Sequence, residues 1–500
     1  MRIKLRLPTG FGRGFAPPEP RRKGEILRGP CPRTPAGRPA RDLAPAAGRH
    51  PATPVSNQRG TPMSTTTAPS AAPSRAEMHH AAPLTDLLHL ETYGLILQIG
   101  ALPFFEQVNK HDLPPDSYIA LLHGLDVIHA AFDDAASHVT LPEVRRVLAP
   151  HLDKRAVLAQ DKAAFAQQQF LNPPAAQLWS QIVAEQLHLR GQRSPLSLLG
   201  TAYVLAIWNM GGTGLCQEIA QAMRLSGHQG MSYMESFDVW GAAHWHEFAG
   251  ALNSLPLDSI QRQHVLLGAD EAVQGITQLI DLVYPLSDSP TTYIPREITL
   301  RDGSVTIPND MREVRTMLRA GDRYWRLFPY VELRYGRKGH GFEWGDGVVM
   351  GRLAAVSQEA VDEEIDWTVR MIGARGIPMW SPECYMLLLY EDAVQSLPER
   401  AASFRPIYDG ALRLANQRRT VLSDELLQEF DQRFANRVGP EWNARLPHVG
   451  GFIAASVATE RLGIAHAIEN FAKWMTDAKR FPPAWIQAFQ TTMEEAKARI

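Results

Sequence analysis

The sequence predicts a mainly α protein: one helical domain, a short β-hairpin connector, and a second helical domain. Three observations carry that prediction. Apolar residues recur at i, i+3, i+4 and i+7 through most of residues 84–500, the period of a helix with one buried face. The one stretch that reads as strand, around an Asp-Gly pair, falls within residues 286–310. The chain of 500 residues exceeds what a single core usually serves, and no repeat at solenoid spacing is present.

Composition narrows the function classes. A formal net charge of −2 gives no electrostatic footprint for nucleic acid or a membrane surface, so neither is expected as a partner. No apolar run approaches the roughly 20 residues that span a bilayer. Cys31, Cys216 and Cys384 are odd in number and far apart, which makes neither a disulfide framework nor a metal knuckle. A reducing, cytoplasmic location is expected.

Residues 1–82 are dense in Pro, Gly, Ala and Arg and lack apolar periodicity, so they are expected to form a disordered leader. Leu5-Arg6-Leu7-Pro8 is too short for the apolar core of a secretory signal. The Ser-Thr-Thr-Thr run after Met63 suggests that translation begins at that methionine.

The first helical domain is placed at 83–285. A helix over 84–108 ends near Asn109, and Pro114-Pro115 makes a loop from which Asp116 caps the next helix. That helix, 118–136, carries Leu121, Leu122, Leu125, Ile128 and Phe132 on one stripe. Further helices are predicted over 142–149, 153–168, 175–190, 194–224, 232–252 and 259–282. Ser194-Pro195 starts the fourth of these, with Leu198, Leu199, Ala202, Leu205 and Ala206 on its buried face. Gly211, Gly212 and Gly214 interrupt it. Each helix-interior glycine costs about 1 kcal/mol against alanine, so the cluster implies a kink, a close approach to the backbone, or tight helix packing.

Residues 286–310 form the connector: the segment from Tyr293, the turn Asp302-Gly303, and a returning Ser-Val-Thr-Ile make a hairpin pattern. The second helical domain, 311–500, is broken at 334–341 and 375–378 and contains a long helix over 449–476. Pro482-Pro483 then separates a last helix over 484–499. Trp367, Met371, Met379, Trp380 and Met386 read as core filling.

The residues of the first domain carry a resemblance. Leu88, Thr92 and Pro103-Phe104 in the opening helix, then Leu113-Pro114-Pro115-Asp116-Ser117-Tyr118 with Leu121-Leu122, resemble the heme oxygenase superfamily. So does Gly200-x-x-Tyr203-Val204-Leu205 leading to Met210-Gly211-Gly212. The resemblance covers about residues 84–284 and implies a heme oxygenase-like helical fold of bacterial type. The family's proximal histidine stands four residues after the threonine and seven before the proline, and both counts land on Ile96. Its distal Glu-Gly-Ser corresponds to Ala206-Ile207-Trp208.

These departures imply a pseudoenzyme that has lost histidine-ligated heme cleavage. The old cavity would be lined by Ile96, Trp208, Met210, Gly211 and Gly212. It would take an apolar or planar ligand, such as a tetrapyrrole of the bilin type, or the protein would bind a protein partner or a second copy. Heme is not the expected cofactor. The alternative is an enzyme: a biliverdin-forming heme oxygenase with a substitute ligand, or a non-heme iron oxidase on the same scaffold.

Other constellations have bland competitors. Asp126 and His129 share a helix face, with Asp133 beyond, and could ligate iron. The matching second cluster is missing, because Ala242 stands four residues after Asp238, and polar surface positions explain the residues more simply. Arg334 and Arg337, beside Tyr335 and Lys338, could hold an anion. The competing reading is an interdomain ion-pair network between the basic, aromatic cluster of residues 322–326 with Arg334, Tyr335, Arg337 and Lys338 and the acids Glu332, Glu343 and Asp346. Cys216 and Cys384 read as small buried apolar groups, and His448 beside Gly450-Gly451 as a weak anion site at a helix start.

Overall fold

Helical periodicity in the sequence becomes helix throughout the computed structural model, which describes residues 82–210, 212–225, 229–235, 241–293, 306–336 and 344–500. The side chains at 208–210, 212–214 and 241–243 also lie outside the description. The first half runs α1 (Leu84–Ile99), α2 (Pro103–Lys110), α3 (Pro115–Ser137), α4 (Pro142–Leu148), α5 (Arg155–Ala164) and α6 (Pro174–Arg193). It continues with α7 (Ser197–Met210), α8 (Gly212–Ala222), α9 (Ser232–Glu235), α10 (Gly241–Asn253) and α11 (Ser259–Val283).

The single helix expected over 84–108 is two, bent by 59° between α1 and α2. Pro103 explains the break: it opens α2 at a position where its missing N–H costs nothing, and it could not have continued α1. Among the described residues no single helix is long and apolar enough to cross a membrane, and α1 with α2 meets that measure only jointly, across the bend. Asp116 does not cap α3. Its carboxylate instead accepts the Leu171 N–H at 2.9 Å, tying a distant loop to the first turn. Ser194 closes α6 rather than starting α7, its N–H donating to the Arg190 carbonyl at 2.7 Å. The predicted helix over 194–224 divides into α7 and α8 around the glycines; residue 211 lies outside the described residues.

α11 is the spine of this half. Asp258 and Gln261 form a capping box at its start. Its apolar face, including Val265, Val273, Ile276, Leu279 and Ile280, is buried against α7, α1 and α6. Contact with α7 is backbone to backbone. A β-carbon at Gly200 would come within 2.0 Å of the Val265 carbonyl oxygen, and one at Gly268 within 1.9 Å of the Ser197 carbonyl oxygen.

At the connector, Tyr293 and Thr306 make an isolated antiparallel bridge, and the Ile307 N–H donates to the Thr292 carbonyl at 2.9 Å. The Asp302-Gly303 turn lies outside the described residues. The second half comprises α12 (Met311–Leu327), α13 (Pro329–Tyr335), α14 (Asp346–Ala354), α15 (Gln358–Gly373), α16 (Trp380–Ser396) and α17 (Arg405–Arg419). Then come α18 (Asp424–Arg445), α19 (Val449–Arg461), α20 (Ala467–Met475) and α21 (Pro483–Arg499). The helix expected over 449–476 is interrupted after α19, where Gly463 takes φ +95° and His466 φ +67°. Phe452, Phe471, Trp485 and Phe489 fill the core between α19, α20 and α21.

Six charged side chains join the halves. Arg190 and Arg193 of α6 meet Glu332 of α13 at 3.2 and 3.0 Å. Arg193 also pairs with Asp322 of α12, Arg190 with Glu271 of α11, and Arg326 with Asp322 at 2.9 Å. Glu332 is only 1 % exposed, and the Arg193 guanidinium lies 4.6 Å from the Trp325 ring centroid. Of the acids expected in an interdomain network, Glu332 takes part, but its cations are Arg190 and Arg193 of α6 and not Arg334. Arg337, Lys338 and Glu343 lie outside the described residues.

Two outcomes are expected. Gly200→Ala should destabilise the protein by about 1–3 kcal/mol, since neither backbone it meets can yield without separating α7 from α11. Glu332→Ala should cost about 3–5 kcal/mol by removing the carboxylate that two buried guanidinium groups share, leaving Arg190 with Glu271 and Arg193 with Asp322. Urea midpoints by circular dichroism measure both.

Candidate functional site

α1 presents two different faces. Thr92, Ile96 and Ile99 point inward and are buried, whereas Leu90, Tyr93 and Leu97 are exposed. Thr92 satisfies its hydroxyl on the Leu88 carbonyl at 2.7 Å, within its own helix. Facing it on α7 is Tyr203, fully buried between α1 and α10, with the Trp245 ring of α10 at 5.8 Å. Burial pushes the Tyr203 phenol well above its usual range, with the Thr92 hydroxyl acting in the opposite direction. Ile96, one turn beyond Thr92, is 8 % exposed, and Ala206 and Ile207, one turn beyond Tyr203, are likewise buried. An inward-facing isoleucine supplies apolar contact and no donor atom. The side chains of Trp208 and Met210, the surroundings of Gly212 and the whole of Gly211 lie outside what the structure describes.

Deeper in the same half is a polar interior that sequence reasoning did not assemble. His129 of α3 and Tyr233 of α9 share a 2.8 Å hydrogen bond between Nε2 and the phenol oxygen. Asp161 of α5 fixes α9 by accepting the Ser232 and Tyr233 N–H groups at 2.8 and 2.7 Å. Tyr118 donates to the Gly230 carbonyl at 3.1 Å. His151 packs edge-on against Phe248 at 4.4 Å. Burial, followed by the nearby Lys154 ammonium, lowers His129 to about 4 and His151 to about 3. Burial likewise lowers His264 of α11 to about 4. The sequence signal was half present, since His129 sits on the apolar stripe of α3. Its tyrosine partner is 104 positions away, and no local pattern marks it.

The metal pair divides. Asp126 bonds Lys162 and lies 3.4 Å from Arg155, while His129 turns to Tyr233. The Lys162 and Arg155 cations hold the Asp126 carboxyl below its usual range against the effect of its burial. Among the described residues no group of three or more His, Cys, Asp or Glu side chains could hold a metal ion. Arg334 donates to Tyr330 and lies 5.0 Å from the Tyr335 ring centroid, and Arg337 lies outside the described residues. The start of α19 is occupied: Asp431 accepts the Gly451 N–H at 3.2 Å and bonds His448 Nδ1 at 2.8 Å. Cys216 is buried with its sulfur 3.8 Å from Glu235 Oε1, and burial pushes the Cys384 thiol far up, away from nucleophilic chemistry.

Comparison with known proteins bears on this half alone. Residues 84–281 match the heme oxygenase family model. The heme oxygenase of Leptospira interrogans is 18 % identical over 40 % of this chain and 98 % of its own, with a TM-score of 0.36. Heme oxygenase-1 of the cyanobacterium Synechocystis sp., in complex with heme, is 18 % identical over 40 % of this chain and 91 % of its own, with a TM-score of 0.35. Among curated proteins none matches.

The buried histidines set a pH dependence. Their folded values lie below the ordinary 6.5, so as pH falls the unfolded chain binds protons that the folded protein refuses. Their contribution to stability is therefore full above about pH 6.5 and is lost progressively toward pH 4, at about 1.4 kcal/mol per pH unit for each histidine. His129→Gln, which keeps a hydrogen-bonding partner for Tyr233 and cannot titrate, should flatten that slope by one histidine's share in urea titrations between pH 7 and 5.

Proposed function

We propose that residues 84–281, which match the heme oxygenase family model, form a module that binds an apolar or planar ligand of the tetrapyrrole class without histidine-ligated heme cleavage. The observation that carries this reading is Ile96. It stands where the family resemblance puts the proximal histidine, and it is buried on the inner face of α1. The donor set there does not fit a histidine-ligated iron, so no catalytic step is assigned to it.

What remains on the inner faces of α1 and α7 is apolar surface with single polar points. Ile96, Ile99, Ala206 and Ile207 supply contact area, and Tyr203 supplies one phenol. Such a lining recognises a ligand through burial, at roughly 25 cal/mol per Å² of apolar surface removed from water, with a few polar groups setting orientation. In this reading the second half covers the ligand-binding half or recruits a protein partner, and the chain acts in the cytoplasm.

Hemin and biliverdin titrations test the proposal. Biliverdin should quench tryptophan fluorescence saturably, and hemin should give no sharp Soret band of a histidine-ligated complex. Ile96→His should introduce such a band if the remaining pocket admits the macrocycle. A sharp Soret band in the unaltered protein, followed by biliverdin formation under reducing conditions, would establish an active heme oxygenase instead. Two irons per chain in the purified protein would establish the iron oxidase.

A further inference from the structure

A cavity of about 30 Å³ lies in the second half among α12, α14, α15 and α16, in a part of the chain that the family model does not reach. Its walls are isoleucine and methionine side chains from α14, α15 and α16. Five oxygen-bearing side chains interrupt them: Tyr324, Asp346, Thr368, Ser381 and Tyr385. Tyr324 and Ser381 are hydrogen-bonded to each other, and the Tyr324 and Tyr385 rings meet edge-on at 5.5 Å. A β-carbon at Gly347 would come within 2.5 Å of the Tyr385 hydroxyl, which therefore lies against the first turn of α14, beside Asp346.

Asp346 is the anomaly. Among the described residues its carboxyl has neither a hydrogen-bond nor an ion-pair partner, and no described lysine, arginine or histidine lines the cavity with it. A carboxylate against apolar walls is costly unless a counter-charge accompanies it.

We propose that this cavity binds a small primary ammonium ion, either ammonium itself or its methyl or ethyl derivative, with Asp346 as the counter-charge. An ammonium group brings up to four N–H donors, and Asp346, Ser381 and Tyr385, whose side chains carry oxygen acceptors, line the same cavity. The two tyrosine rings add cation–π attraction. Size sets the limit. A water-sized group needs roughly 10–15 Å³ on the same measure, so the cavity holds two or three heavy atoms, a nitrogen and one or two carbons. The isoleucine and methionine walls suit the alkyl end, and would leave a bare alkali ion without oxygen ligands over much of its surface.

Protonation fits this assignment. Burial, reinforced by the Glu364 carboxylate of α15, pushes the Asp346 acid up to about 8. The other titratable groups on the cavity are Tyr324 from α12 and Tyr385 from α16. With no cation bound, Asp346 keeps its proton at neutral pH; as the ammonium enters, that proton leaves to solvent and the carboxylate pairs with the N–H groups.

Calorimetric titration of the full-length protein with methylammonium chloride at pH 8 and constant ionic strength tests this. Tetramethylammonium chloride, bulkier and without N–H donors, is the comparison, and potassium chloride is a third arm. Saturable binding of methylammonium alone is expected. Asp346→Asn should raise Kd about tenfold or more, and Ser381→Ala about threefold or more. Ser381→Ala keeps the test readable should Asp346→Asn fail to fold. Absence of saturable methylammonium binding, an equal response to tetramethylammonium, preference for potassium, or binding that both variants leave unchanged would overturn the proposal.

Discussion

Between α7 and α11 the main chains touch, and much of the first half is placed by that contact. Gly200 and Gly268 each leave room for a carbonyl of the other helix, so no side chain separates the two axes. A contact of this kind admits little sliding, because neighbouring turns carry β-carbons that would collide. It fixes α7, and with α7 the inward positions of Tyr203, Ala206 and Ile207. α11 also receives α1 and α6 along its length, so Ile96 and Ile207 are placed relative to one shared element. In the proposed reading a ligand would meet a wall whose backbone geometry is decided by two glycines.

The second half is tied to the same element. Arg190, Arg193 and Arg326 balance Glu271, Asp322 and Glu332, so the set is neutral although most of it is buried. Neutrality is what makes such burial tolerable: each guanidinium recovers through charge-assisted bonds what it loses in hydration. A buried network contributes less net stability than apolar packing would, but its bonds are directional, and directional bonds fix orientation. Here they orient α12 and α13 against α6 and α11. The second half is thereby held in a defined pose over the spine of the first.

How much of this was legible in the sequence follows from the range of each interaction. Helix periodicity is local, so the succession of helices could be read with boundaries shifted by a turn. Misreadings came where a local signal had two meanings. Pro103 was absorbed into a long apolar run, although a proline there starts a new helix more readily than it extends an old one. Gly463 falls inside the run expected as one helix over 449–476, and its positive φ marks the break after α19. Asp116 and Ser194 have the composition of caps but serve other partners, a choice that tertiary structure makes. The inward face of Ile96 follows from its spacing to Thr92, and the resemblance made it worth noticing. The His129–Tyr233 bond, the Gly200–Gly268 approach and the partners of Glu332 join residues 68 to 142 positions apart. Periodicity has nothing to say about such pairs.

The distribution of imidazoles gives the functional reading its physical basis. His129 is held by a phenol, His151 lies against Phe248, and His264 is buried in α11; all three are kept neutral by desolvation. The one imidazole of α1, His89, lies tilted against the ring of Tyr93 at 5.1 Å, on the exposed side of that helix. In the interior, then, histidine serves to satisfy and fill, at a cost in acid stability that the fold sustains near neutral pH. The inner face of α1 near Ile96 has the opposite character: a threonine whose hydroxyl is spent on its own helix, then two isoleucines. A ligand lying against that face would be held by shape and burial. Its orientation would depend on the few oriented polar groups opposite, and Tyr203 is the one the sequence and the structure both place there.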